Sequence, residues 1–425
     1  MVLNGQKASA AGGRTFRSSV QIRNASGGLD SQAVLLLVVQ ALFGIGTALS
    51  GTFVPVYLWK ASQSYSLIGL FAITGYVTSG LTFWLAGKWV KEHNKMNSLR
   101  LGIVLSGAFY FLVLLFGQEA KQYALPLGVL NGVGLGFYWI AYNVVYFEIT
   151  EPSNRDRYNG YAGLMGAAAG MLAPWISGLL ITSFGGERGY TLIFTISLVI
   201  FAIGAVFSFW LKKRESAGRY DWKHTYTMLL QSPLWRRLFF AITAQGVREG
   251  VFMFLIGLTV YTATQNESKL GSFALITSLV ALLSNWIAGR ALKPANRGIG
   301  MLIGTVMVSA FILPLFWKVN YGIMLLFGIG TALFLPLYMI PMTTRVFDMI
   351  GLSEESAKQR EEYIVLRELA LTVGRSIGVI VYLIVLSVYH TPQTMVWLLF
   401  GVGTVPVLAW WLMRPLLPEH PRILQ

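Results

Sequence analysis

The chain of 425 residues predicts an all-α integral membrane protein, with twelve transmembrane helices in two pseudo-symmetric six-helix bundles. Three observations carry that prediction. Hydrophobic residues make up 55% and charged residues only 12%, against about 25% charged in an ordinary soluble chain. Apolar runs of bilayer-crossing length, about 20 residues, recur from end to end. The second half of the chain also repeats part of the first in register.

The runs fall at about 32–59, 65–90, 98–117, 122–148, 158–184, 190–211, 237–262, 268–289, 299–317, 321–345, 363–388 and 392–413. Lipid offers the backbone no hydrogen-bond partner, so each run is a helix. Residues 1–31 read as a disordered tail, with Lys7, Arg14, Arg17 and Arg23 among Ser, Gly and Ala. The first apolar run is too long for the core of a cleaved signal. Spans 1–6 form the first bundle, 32–211, and spans 7–12 the second, 237–413. Between them, 212–236 is the one long charged connection. There Trp222, Tyr226, Leu229 and Leu230 sit at helical spacing beside Lys223 and His224, the pattern of a short amphipathic helix on a membrane surface. Ser232-Pro233 then reads as N-cap and first residue of the seventh span. Residues 414–425 form a second tail.

Charge fixes the orientation. Of 33 Lys and Arg, 25 fall on the side of the N-terminus, five on the other side, and three (Arg248, Arg367, Arg375) inside spans. That bias puts both termini and the central loop in the cytoplasm, for a multi-pass protein of the plasma membrane. The net charge of +15 is therefore a topology signal, and nucleic acid is not an expected partner. The absence of Cys excludes disulfides, thiol catalysis and Cys metal sites. His93, His224, His390 and His420 all lie in loops or tails, and no phosphate-binding G-x-x-x-x-G-K-[ST] loop occurs. No metal, cofactor or enzymatic activity is expected.

A shift of 202 residues aligns the second span with the eighth. Ser66, Gly69, Phe71 and Ala72 match Ser268, Gly271, Phe273 and Ala274; further on, Trp84, Ala86, Gly87, Lys88, Lys91, Asn94 and Lys95 match Trp286, Ala288, Gly289, Arg290, Lys293, Asn296 and Arg297. Gly132 and Gly134 are echoed by Gly328 and Gly330. Two six-helix halves of this kind are the architecture of secondary transporters, which rock one half against the other.

At these residues the sequence resembles the major facilitator superfamily, over about 31–415. The family signature between spans 2 and 3 is G-x-x-x-D-x-x-G-[RK]. Gly87 and Lys95 keep its ends, but Lys91 replaces the acid and Asn94 the second glycine. The second copy departs identically, with Gly289, Lys293, Asn296 and Arg297. In the family the acid helps latch the cytoplasmic side. The reversed sign here leads to the expectation of a charge-swapped latch, with Lys91 meeting Glu361 or Glu362 and Lys293 meeting Glu148 or Glu151. The same lysines also read simply as positive-inside anchors. The fifth span resembles a small-residue run found in antiporters of the family, at Gly160, Ala169, Ala173, Pro174, Ser177 and Gly178. Such a face permits close helix packing, and ordinary packing would use it too.

A charge in the hydrocarbon core costs at least about 2.5–3.5 kcal/mol, so it is a functional candidate. Arg248 and Glu249 lie near the middle of the seventh span, one turn after Gln245, and Arg367, Glu368 and Arg375 lie in the eleventh. Three roles compete. Glu249 or Glu368 would carry the driving proton; Arg248 or Arg375, with Gln245, would hold an anionic group on the substrate; or the charges would simply pair, Arg248 with Glu368 or Arg375 with Glu249, as structural ties. In the fourth span Tyr138, Tyr142 and Tyr146 recur every fourth residue, close to Asn143, and the first span offers Gln40. If this face lines the cavity, it suits an amphipathic or hydroxylated substrate; packing or an interfacial belt is the plainer role.

The expected function is secondary active transport by alternating access, coupled to protons, with a monomer exporting an amphipathic or anionic small organic molecule. A nutrient importer of the same fold is the first alternative, and a membrane receptor or assembly scaffold the second. Transport would need the tyrosine face and the Arg248, Glu249 and Arg375 groups to meet in one cavity; tight pairing would favour the scaffold.

Overall fold

The computed structural model describes residues 29–150, 154–213, 219–350, 359–388 and 392–417. Twelve of the helices are long and apolar enough to cross a membrane: Ser31–Ser62, Tyr65–Glu92, Lys95–Lys121, Ala124–Tyr146, Arg157–Phe184, Gly186–Ser208, Pro233–Thr264, Glu267–Ala291, Pro294–Phe316, Tyr321–Met349, Glu361–Val388 and Gln393–Leu416. They are spans 1 to 12 below. No strand occurs among the described residues. Several helices outrun their apolar cores, because the backbone ladder continues where Lys and Arg stems reach the interface.

The expected surface helix is present at Trp222–Gln231, and Ser232 caps span 7 by accepting from the Trp235 N–H. Side-chain caps also open span 1 (Asp30), span 2 (Ser64), span 3 (Asn94) and span 8 (Asn266). Each accepts an N–H that the first helical turn leaves without a partner. Span 1 is not one continuous helix. It breaks between Gly51 and Val54, and Pro55 stands in the first turn of the second piece, where it has no N–H to extend the ladder.

The linker helix and the turns joining spans 2–3 and 8–9 share one face, the linker face. The turns joining spans 1–2 and 7–8 lie at the opposite face. Two seams join the halves. Spans 2 and 11 pack along their whole length, with Gly69 against Tyr382, Gly80 against Thr372 and Gly87 against Val365. Spans 5 and 8 pack only toward the opposite face, where Gly178 lies against the Glu267 carbonyl and Gly271 against that of Pro174, with Ser278 donating to the Gly170 carbonyl at 3.3 Å. Toward the linker face, side chains placed at Gly160, Gly163, Gly166 or Gly289 would meet open space. Spans 5 and 8 therefore part in that direction. Five of the six residues of the span 5 run, Ala169, Ala173, Pro174, Ser177 and Gly178, are buried, whereas Gly160 is exposed.

Inside the second half, spans 7 and 11 approach through Gly246, Gly250, Gly374 and Gly378. A Cβ at Gly246 would stand 2.5 Å from the Leu371 carbonyl oxygen. Gly246→Val is expected to cost about 1–3 kcal/mol by overpacking, whereas Gly289→Val in open space should stay within about 0.5 kcal/mol. Thermal unfolding of the purified variants checks the contrast; equal midpoints would contradict it.

Candidate functional site

Close packing of spans 7 and 11 brings three of the buried charges together. Arg375 donates from Nη1 to Glu368 Oε1 at 2.7 Å and from Nη2 to Glu249 Oε1 at 3.1 Å. One guanidinium is thus shared by two carboxylates, and the trio carries a formal charge of −1. The Arg375 and Glu368 side chains are each 15% exposed and Glu249 is 32% exposed. The buried Oε2 of Glu249 has no hydrogen-bond partner among the described residues. Span 2 covers the trio from the other half: the Tyr76 hydroxyl donates to the Gly250 carbonyl at 3.1 Å, and its ring centroid is 5.8 Å from the Arg375 guanidinium carbon.

The expected Arg248–Glu368 pair does not form, because Arg375, on the same face of span 11, takes Glu368 first. Adjacent residues on a helix point about 100° apart, so Arg248 turns from Glu249 into the second bundle. There its guanidinium carbon sits 4.3 Å from the Phe252 ring centroid, with Nε and Nη2 unpartnered among the described residues. Gln245 is buried one turn earlier, and Arg367 is half-buried on span 11.

The tyrosines of span 4 divide. Tyr138 is fully buried, stacked on Phe43 at 3.4 Å between centroids, and does not line a cavity. Tyr142 donates to Gln40 Oε1 at 2.6 Å. Tyr146 donates to Asn159 Oδ1 at 2.8 Å, and Asn143 donates to the Trp139 carbonyl of its own helix. Tyr158 of span 5, not singled out from the sequence, completes the cluster at 3.3 Å from Tyr142 and 3.4 Å from Gln40. Gln40 also borders a cavity of about 260 Å³ between spans 1, 4 and 5, walled by Phe43, Thr47, Trp139, Met165 and Ala169. No charged residue lines it. The acid–arginine trio lies elsewhere, paired at the contact with span 2, so the single cavity expected to join the tyrosine face and these charges is not formed among the described residues.

The linker face carries a buried ion pair between the halves. Lys91 Nζ lies 2.7 and 2.8 Å from the two oxygens of Glu362 and 3.5 Å from Glu361 Oε2. Lys91 is 6% and Glu362 1% exposed. The linker closes over the pair: Asp221 N–H donates to Glu362 Oε1 and Tyr220 N–H to Glu92 Oε1, both at 3.0 Å. Burial, with Glu362 and Glu361 nearby, pushes the Tyr220 phenol above its ordinary range. The second copy differs. Glu148, one expected partner of Lys293, is hydrogen-bonded to Lys95 within its own half, and Lys293 is exposed. Glu151, the other, lies outside the described residues. Arg297 repeats the Lys95 pairing with Asp348 at 3.2 Å. Span 5 offers no acid over residues 159–166, where span 11 offers Glu361 and Glu362.

A second cross-half tie lies at the opposite face. Lys60 meets Glu267 at 2.8 Å, and the Tyr190 hydroxyl donates to the same carboxylate at 3.2 Å. Nearby, Tyr382 donates to the Tyr65 carbonyl at 2.9 Å. One signal was available in the sequence: Lys60 is the only base between spans 1 and 2, and Glu267 the only acid between spans 7 and 8.

The family model of the Major Facilitator Superfamily matches residues 36–354. The chain belongs to the Major Facilitator Superfamily. As a member it is a multi-pass membrane transporter; family membership, not a shared cavity, carries the transport reading. Its sequence is 37% identical over 354 residues to "Uncharacterized protein YqgE" of Bacillus subtilis (strain 168), covering 83% of this chain and 82% of that one. It is 43% identical over 166 residues to "Uncharacterized protein in sodM 3'region" of Geobacillus stearothermophilus, covering 39% of this chain and 78% of that one. Among solved structures, a bacterial homologue of the iron transporter ferroportin in an inward-facing state superposes with a TM-score of 0.65 at 15% identity, covering 91% and 98% of the two chains. A mutant of the nucleoside transporter NupG superposes with a TM-score of 0.69 at 11% identity, covering 91% and 99%. At those identities the likeness to the superfamily structures is one of fold.

Breaking a buried ion pair by reversing one partner costs about 3–5 kcal/mol. Lys91→Glu and Glu362→Lys are each expected to abolish uptake or release by reconstituted protein, and the double reversal to restore it. Failure of the double variant, with both proteins folded by circular dichroism, would remove the pair's gating role.

Proposed function

We propose that this transporter is a proton-coupled exporter of an amphipathic small organic molecule, working as a monomer by alternating access. Its linker face is cytoplasmic and its membrane is the plasma membrane. The observation that carries the coupling is the shared guanidinium of Arg375. Glu249 holds Arg375 through Oε1 and leaves Oε2 unpartnered, so a proton can bind without displacing an existing hydrogen bond. Proton uptake would neutralise the trio's excess negative charge, which is costly at low dielectric. Tyr76 of the other half rests on the same group, so a change of charge there bears directly on the contact between halves.

The cargo chemistry follows from the Gln40 cavity. Its walls are largely apolar and uncharged, with the Gln40 amide and the Thr47 hydroxyl among them, and Tyr142 donates to Gln40 from behind that wall. Such a site rewards apolar burial plus one or two hydrogen bonds and penalises an unpaired ion. Export is favoured by the open cleft between spans 5 and 8 at the linker face, and by the small-residue seam of span 5 that resembles family antiporters. Lys91 and Glu362 act as the cytoplasmic latch, Lys60 and Glu267 as the outer one.

Proteoliposomes with an imposed pH gradient test the coupling. Glu249→Gln should lose gradient-driven accumulation while keeping exchange of labelled for unlabelled cargo, because cargo contacts are untouched. Accumulation that persists in Glu249→Gln, or that ignores collapse of the gradient in the parent protein, would overturn the coupling. Gln40→Leu, which removes the amide from the cavity wall, should weaken cargo affinity by about threefold to tenfold through loss of one hydrogen bond, read as a rise in the half-saturating concentration; an unchanged value would remove the cavity from the cargo path.

A further inference from the structure

A second cavity, of about 400 Å³, lies at the face opposite the linker, far from both constellations above. Both halves build it. The turn between spans 1 and 2 supplies Gln63, Ser64 and Ser66, and span 7 supplies Thr259 and Thr262. Spans 9, 11 and 12 supply an aliphatic floor of Leu315, Leu386, Met395, Val396 and Leu399. Leu315, Leu386, Val396 and Leu399 are themselves buried. No charged side chain lines the space, and the nearby Lys60 is taken up by Glu267.

The walls are tied to one conformation. The Tyr65 carbonyl in the wall accepts from Tyr382 across the halves at 2.9 Å. Gln63 turns the corner into span 2 in a left-handed conformation, φ 52°, and its amide donates to the Lys60 carbonyl at 3.2 Å. Lys60 carries the tie to Glu267. The polar rim over the aliphatic floor is thus linked to the cross-half contacts that close the opposite face.

We propose that this cavity is a binding site for an uncharged amphiphile, a hydroxylated head on a short aliphatic chain, and that the bound molecule holds the opposite face closed. The head meets the hydroxyl and amide rim, and the chain lies on the Leu, Met and Val floor. A volume near 400 Å³ falls in the range of small-molecule sites. An ion is disfavoured because it would leave water without a counter-charge. The site's existence is independent of the proton-coupling proposal; only its effect on turnover rests on alternating access.

The test uses the full chain in nanodiscs and a photoreactive diazirine analogue of 1-monooctanoylglycerol, with labelled peptides mapped by mass spectrometry. Saturable labelling of residues lining the floor or rim, competed by excess 1-monooctanoylglycerol, is expected. Ser66→Trp, at the exposed rim, and Leu399→Trp, on the floor, should each reduce labelling about tenfold, a loss of roughly 1.4 kcal/mol of binding. Glu267→Lys, which sets like charges across the outer tie, should also reduce it, because the rim from the first half withdraws. Labelling that is non-saturable and spread over lipid-facing helices, or that survives both Trp variants, would overturn the site. Labelling unchanged by Glu267→Lys would overturn its preference for the closed face.

Discussion

A charge that leaves water is costly unless it is paired, and at the two faces of this protein the counter-charges sit on the other half of the molecule. The buried Lys91 of span 2 is neutralised by Glu362 of span 11, and Lys60 of span 1, a side chain still 34% exposed, by Glu267 of span 8. These ties lie at opposite faces. A buried pair adds little net stability over an apolar contact, yet breaking it while it stays buried is expensive. Such a pair suits a contact that must be either fully made or fully opened. On the proposed alternating access, water would have to reach both ions as the halves separate, so each tie would exchange its partner for hydration rather than stretch.

Helix packing and charge divide the work. Glycines of span 2 seat the span 11 side chains of Tyr382, Thr372 and Val365 and zip that seam along its length. The seam of spans 5 and 8 is zipped only near Gly178 and Gly271 and gapes beyond Gly170. The geometry is that of two bodies hinged at one face. The linker adds a further constraint, because its backbone N–H groups at Tyr220 and Asp221 bind Glu92 and Glu362. It bridges the same two spans that Lys91 and Glu362 join, so opening that edge must also release the linker.

Much of this was legible in the amino-acid sequence. Twelve apolar runs, the shifted repeat and the loop charges were enough to point to the family, because bilayer thickness and backbone satisfaction leave few choices. The reversed charge at Lys91 was legible, and so was the pair Glu361 and Glu362 as one of its two readings, but charge pattern did not choose between a latch and a positive-inside anchor or between the two acids. Three-dimensional competition was not. Lys95 reaches Glu148 within the first half, so that carboxylate is taken before Lys293 can meet it, and Lys293 is left exposed. Arg375 outcompetes Arg248 for Glu368 because positions seven apart share a helix face. Periodicity put Tyr138 and Tyr142 on one face, but Phe43 of span 1 stacks on the first and not the second. Tyr158, Tyr76 and the outer tie depend on how helices distant in the chain turn toward each other, which local spacing does not encode.

The central claim is that the two faces open in alternation, each by releasing its own cross-half ion pair, both pairs being made in the present structure. The chain contains no cysteine, so paired spin labels can be placed without background. One pair, at His93 and Lys293, would report the linker face; the other, at Gln118 and Trp317, the opposite face, all four residues being exposed. Pulsed electron–electron distances in nanodiscs, followed as pH is stepped, measure both. Shortening at one face together with lengthening at the other is predicted, and Lys91→Glu should shift the balance toward an open linker face. Distances that stay fixed across pH, or that lengthen at both faces together, would contradict the account.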